Sequence, residues 1–107
     1  MPIPLQAGEQ ILANVGANMF RGMEAVGGNL KITDRRLLFE PHAINFQTTP
    51  EEIPVAQIVE VRPRNTLGLV PNGLLVRLQS GTEYKFVVWG RQKLISLIEG
   101  LRAKKSA

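Results

Sequence analysis

The chain contains no cysteine. Disulfide frameworks, thiol nucleophiles and cysteine-ligated zinc or iron–sulfur centres are therefore excluded. The absence fits a reducing compartment. Histidine occurs once, at His42. A lone histidine cannot supply the ligand set of a zinc site, and its sequence neighbours Asp34 and Glu40 do not complete a catalytic triad with it. Long apolar runs are missing too. Phe86-Val87-Val88-Trp89 has the length of a strand, against the ~20 residues of a membrane-spanning helix. Met1-Pro2-Ile3-Pro4-Leu5 has neither the basic leader nor the apolar stretch of a signal peptide. The expectation is a soluble, cytoplasmic protein, peripheral to the membrane at most. No phosphate-binding glycine loop is present, because Gly27-Gly28 lacks a following Lys-Ser/Thr. Glu51 and Glu52 are adjacent, so an extended segment sends them to opposite faces and not into an acid–base pair. No nucleophile, base or metal set can be assembled, and the expectation is a non-enzymatic protein without cofactor.

What is present is a globular composition on a chain of 107 residues, enough for one hydrophobic core. Formal net charge is +4, and Arg102, Lys104 and Lys105 supply three of the 13 basic residues. The rest nearly balance the 9 acidic ones, so the body is close to neutral with a basic tail. A dedicated nucleic-acid binder would spread its excess charge over one face. Tyr84-Lys85-Phe86 interleaves aromatic and basic residues, but Tyr84 and Phe86 share a face with Val88 and read as core.

Period-2 alternation dominates. Glu9 to Val15 reads as a first strand, and Gly16 argues against a helix there. Ala17 to Val26 reads as a second, ill-defined one. Gly27-Gly28 signals a turn. Leu30 and Ile32 then alternate with Asn29 and Lys31, Thr33-Asp34-Arg35-Arg36 breaks the pattern, and Leu37-Leu38-Phe39 resumes it as the second arm of a hairpin. Ile44 and Phe46 suggest a short strand in a polar loop. Ile53-Pro54-Val55 fits an edge position, and Ile58 to Val61 is expected to end at Pro63. Leu67-Gly68-Leu69-Val70 is a short strand before a turn at Pro71-Asn72-Gly73. Leu74 to Leu78 and Glu83 to Trp89 pair across Ser80-Gly81. From Arg91 the period becomes helical, with Leu94, Ile95, Leu97, Ile98 and Leu101 on one face. This helix is expected to cover the open end of a small sheet structure and to fray from Ala103 onward. Met19, Phe20, Met23 and Trp89 read as core or rim packing, with Trp89 anchoring the helix.

The order and spacing of Gly28-x-Leu30-x-Ile32-Thr33-x-x-Arg36-Leu37-x-Phe39, of Ile53-Pro54-Val55-x-x-Ile58-x-x-Val61, and of Gly73-Leu74-x-Val76-x-Leu78 with Gly81 and Phe86-Val87-Val88 resemble a bacterial GRAM domain. That family is a branch of the pleckstrin-homology-like superfamily. The resemblance runs from about Gly8 to Leu101, which makes 1–107 a single domain with a basic tail at 102–107. It implies a mainly β fold: a seven-stranded, partly open barrel of two near-orthogonal sheets capped by one C-terminal helix. It also implies a binding module that recruits a protein partner or an anionic membrane surface. A self-assembling structural protein, homo-oligomeric through an exposed strand edge such as Leu67 to Val70, is an alternative. A weak nucleic-acid binder is another.

Two basic turns are candidates for an anion or lipid-headgroup site. Arg35 and Arg36 stand at the hairpin tip with Lys31 on the adjacent strand, and guanidinium forks suit a phosphate. Arg62 and Arg64 flank Pro63 with Asn65 alongside. The plainer alternatives are an ion pair of Arg36 with Asp34 or Glu40, and a solvated loop around Pro63.

Overall fold

The computed structural model describes residues 3–42, 49–66 and 70–106. These form seven strands: β1 (Ile11–Arg21), β2 (Glu24–Thr33), β3 (Arg36–Pro41), β4 (Glu51–Pro54), β5 (Ile58–Thr66), β6 (Val70–Leu78) and β7 (Glu83–Val88). A 3-10 turn, Val55–Gln57, joins β4 to β5, and one helix, α1 (Arg91–Ser106), follows. All the pairings are antiparallel, in the order β4-β3-β2-β1-β7-β6-β5. The ladder is therefore one continuous sheet, open between its edge strands β4 and β5. Its inward side chains make a single core that includes Leu30, Phe39, Ile53, Val76, Phe86 and, from the helix, Leu94, Ile98 and Leu101. Phe39 and Phe86 meet there from opposite halves of the sheet, with ring centroids 6.0 Å apart.

Several boundaries differ from the sequence expectation, each for a physical reason. β1 runs unbroken through Gly16 to Arg21, and the chain turns at Gly22 and Met23. Gly22 has φ 63, which is where a glycine is needed for the reversal. Gly27-Gly28 is consequently not a turn but the middle of β2. A Cβ at Gly28 would collide with the Glu40 carbonyl on β3, so glycine there permits the two strands to approach.

Pro63 does not end β5, which continues to Thr66 with Pro63 opposite Leu74. An edge strand tolerates proline because its outward N–H has no partner to lose. Pro71-Asn72-Gly73 is likewise strand, not turn, within β6. A Cβ at Gly73 would strike the Arg64 carbonyl, again a close approach. The expected strand around Ile44 and Phe46 lies outside the described residues, as does most of the Leu67 to Val70 edge.

Other expectations hold. The 27–40 stretch pairs as the β2–β3 hairpin, β4 is an edge strand carrying Pro54, and Gly81 with φ 91 closes the β6–β7 turn. The helix does not fray at Ala103 but continues to Ser106, so the basic tail forms its last turn. Two arginines fasten it to β5. Arg91 donates to the Arg64 carbonyl at 3.0 Å, and Arg102 donates to the Val59 carbonyl at 2.8 Å.

Candidate functional site

Thr33, Asp34, Arg35 and Arg36 make the β2–β3 turn. The Thr33 hydroxyl accepts from the backbone N–H of Arg35 and of Arg36 at 3.1 and 3.0 Å. The ion pair expected of Arg36 as the plainer alternative to an anion site is present, with other partners. Arg36 is only 5% exposed, because residues 3–10 are tethered across the outer face of β2 and β3. Its Nε and Nη2 donate to both carboxylate oxygens of Glu9 at 2.8 Å each, and Nη2 also donates to the Pro4 carbonyl. Glu52 on β4 lies 3.2 Å from Nη1. The partners are thus Glu9 and Glu52, neither of the two near it in sequence. Asp34 is occupied otherwise, accepting from the Gln10 N–H at 2.9 Å.

The Glu9 carboxylate also accepts from the Thr33 hydroxyl at 2.6 Å and from the Gln6 N–H at 2.8 Å. The Arg36 hydrogen bonds, aided by Thr33 and Gln6, outweigh the effect of burial and pull the Glu9 carboxyl down to about 2. Reciprocally, Glu9 raises Arg36 against its own desolvation. Arg35 donates to the Gln6 side chain at 3.1 Å. Lys31 forms an ion pair with Glu40 at 2.7 Å, and Glu40 also accepts from the Ile3 N–H at 2.8 Å. Burial raises the Glu40 carboxyl, but Lys31 and Ile3 outweigh it and leave it lowered. Leu38, out of phase with the core residues Leu37 and Phe39, is nonetheless completely buried on this strapped face.

Arg62 and Arg64 lie on β5, separated in sheet order from β2 and β3 by β1, β7 and β6. Arg62 is half exposed and only loosely held, 3.7 Å from Glu60. Glu60 is bonded more closely by Arg77, at 3.0 Å. The structure therefore brings Lys31, Arg35 and Arg36 together under the strap, and places Arg62 and Arg64 elsewhere. His42 is exposed, with its backbone N–H on the Gly27 carbonyl. Among the described residues no group of three His, Asp or Glu side chains could hold a metal ion.

Among the described residues, the most exposed large apolar side chains are ones the sequence assigned to packing. Met23 is 99% exposed at the β1–β2 tip, and Trp89 is 84% exposed between β7 and α1. Trp89 does not anchor the helix. The signal was available: Tyr84, Phe86 and Val88 face inward, so the next residue in strand phase faces out. Trp89 is a wall shared by two grooves. One, of about 350 Å³, has a floor that includes Gly16, Gly27 and Gly28. The other, of about 490 Å³, lies between β1 and α1.

No protein-family model matches the sequence, and no curated protein matches it. Solved structures do. The C-terminal domain of an unknown protein from Leishmania infantum superposes with a TM-score of 0.77 at 17% identity, covering 91% of this chain and 87% of that one. The Vps36 N-terminal PH domain gives 0.74 at 12% identity, covering 94% and 84%. The Slm1 PH domain in complex with phosphoserine gives 0.59 at 13% identity, covering 91% and 97%. Identities this low speak for architecture alone: seven antiparallel strands followed by one C-terminal helix, a pleckstrin-homology-like fold.

Proposed function

We propose that the chain is a non-enzymatic module of the GRAM kind that recruits a protein partner in the cytoplasm. The observation that carries this is the exposed Trp89 set between two grooves. A large aromatic held in water at the junction of strand and helix contributes nothing to the core and suits the centre of a protein interface. Support comes from the motif order that resembles GRAM domains, which falls on β2–β3, β4–β5 and β6–β7. The fold's kinship with PH domains, one of them solved with phosphoserine, agrees with a binding role.

The test is site-specific photo-crosslinking in cells. A crosslinking amino acid replaces Trp89 in one version and Ala56, exposed in the 3-10 turn, in another. A discrete adduct at position 89 and none at 56 is the expected result. Equal labelling at both positions would refute the reading. A second reading, recruitment to an anionic membrane surface, has one observation in its favour: the loosely held Arg62 on β5.

A further inference from the structure

β1 pairs with β2 along its whole length, but with β7 only at Ala17, Asn18 and Met19. β7 ends at Val88, opposite Ala17, and Gly90 with φ 69 turns the chain away into α1. Residues 11–16 of β1 thus have no strand neighbour on that side, and α1 runs alongside them across a wedge. The wedge between is apolar. Leu12, Ala13 and Val15 form its strand side, Leu94 and Leu97 its helix side, and Trp89 closes one end. Leu12 and Leu97 also line a second groove of about 200 Å³ that continues past Gly100. Six strand residues at ~3.3 Å each offer an edge of about 20 Å.

The other two edges are closed to a further strand. β4 has four residues, among them Glu51, Glu52 and Pro54. β5 carries Pro63, and its Val59 carbonyl is taken by Arg102. Proline, charge and a covering element are the usual protections of an edge. Along residues 11–16 β1 has neither proline nor charge, and past its bulge between Ile11 and Ala13 residues 13–16 are in regular register with β2.

Charge defines the occupant. Lys93 lines the larger groove and Lys104 the smaller, while no acidic residue lines either. Neither lysine has an ion pair among the described residues. The first turn of α1 is free of acidic residues, and Glu99 is engaged by Arg102 on the side of the helix that faces β5. We propose that this slot receives an extended peptide from a partner protein, added as a strand to the β1 edge, with apolar side chains in the wedge and acidic residues beside Lys93 and Lys104. Main-chain pairing would supply affinity, and the wedge and the two lysines selectivity. The inference rests on the protein-binding reading and gives it a site and a ligand class.

A random peptide library displayed on phage and selected against the full chain tests it. Synthetic copies of the enriched peptides are then measured by fluorescence anisotropy. The expected peptides carry alternating β-branched residues flanked by Asp and Glu. Leu97→Asp should weaken them by about tenfold or more. Lys93→Glu with Lys104→Glu, both on exposed positions and harmless to folding, should weaken them and flatten the salt dependence. Hydrogen exchange should slow at residues 11–16 on binding. Four results overturn the inference: no enrichment, enrichment of basic peptides, binding indifferent to these variants, or a self-association of the chain that the same variants abolish. Vesicles that compete with the peptides and are lost in the same variants would overturn it as well, by giving the slot to lipid. If a discrete adduct still forms at position 89 while the peptides fail, the recruitment reading stands and this site for it falls.

Discussion

At Arg36, one side chain is bound by two carboxylates and a carbonyl from two segments of chain, residues 3–10 and β4, and removing Glu9 leaves its charge short of a partner in a buried place. Breaking a buried pair from one side costs about 3–5 kcal/mol, so Glu9→Gln should lower the melting temperature strongly. Arg36→Met with Glu9→Leu should recover part of that loss, because an apolar pair leaves no unpartnered charge. The pH dependence has a definite sign. Glu9 has a folded pKa of about 2, below its ordinary 4.5. Its contribution is complete above the ordinary value and is lost as pH falls from there toward 2. Urea titrations from pH 7 to 2.5 should show the wild type losing stability below pH ~4.5 and the gap to Glu9→Gln closing. A constant gap would show that the pair does not carry the acid sensitivity. Trp89 behaves oppositely. Trp89→Ala should leave stability within ~0.5 kcal/mol, whereas Ile98→Ala, fully buried beneath the helix, should cost about 2–5 kcal/mol. Thermal melts of the two variants check the contrast, and a large loss at Trp89 would restore its role as an anchor.

Strands and helix were legible in the sequence wherever alternation was clean and both ends were marked by turn chemistry. β6 with β7 around Gly81, the β2–β3 hairpin and the α1 face Leu94, Ile98 and Leu101 are of this kind. The misread strand boundaries share one cause: glycine and proline look like punctuation when read locally. Gly28 and Gly73 sit inside strands because a neighbouring carbonyl comes too close for any side chain, a tertiary fact with no local signature. Pro63 sits inside β5 because that strand is an edge, and edges are assigned only once the sheet order is known. The candidate site failed to be legible for a similar reason. Glu9 meets Arg36 across 27 positions of chain, so nothing local to Arg36 names its partner. Gly73→Ala tests the close-approach account. Forcing a methyl against the Arg64 backbone should cost ~1–3 kcal/mol, and the cost should exceed that of Gly16→Ala, where a Cβ would meet nothing. Equal losses in chemical denaturation would mean that the glycine is there for another reason.

Across the seven strands, the basic side chains do not gather into a single field. Lys31 and Arg36 are neutralised by Glu40 and by Glu9 with Glu52, under a strap that also engages Arg35. Arg62 and Arg64 lie on a distant strand, and Arg91 and Arg102 are turned onto β5 carbonyls. Cations so dispersed attract an anionic bilayer only weakly, since screening at 0.15 M salt acts over about 8 Å. Co-sedimentation with phosphatidylserine-containing vesicles should therefore match that with neutral vesicles at this ionic strength, with a difference emerging only at low salt. The recruitment reading differs from the membrane reading here, because a lipid-binding surface would retain its preference for anionic vesicles in physiological salt and lose it in Arg62→Ala with Arg64→Ala. Arg36→Ala cannot serve in this experiment. It would strand Glu9 in the interior and report on folding, so a loss of sedimentation in that variant would say nothing about lipid. Preference for anionic vesicles at 0.15 M salt, abolished by the β5 substitutions in a chain that melts like the wild type, would overturn protein recruitment as the principal role and put the membrane in its place.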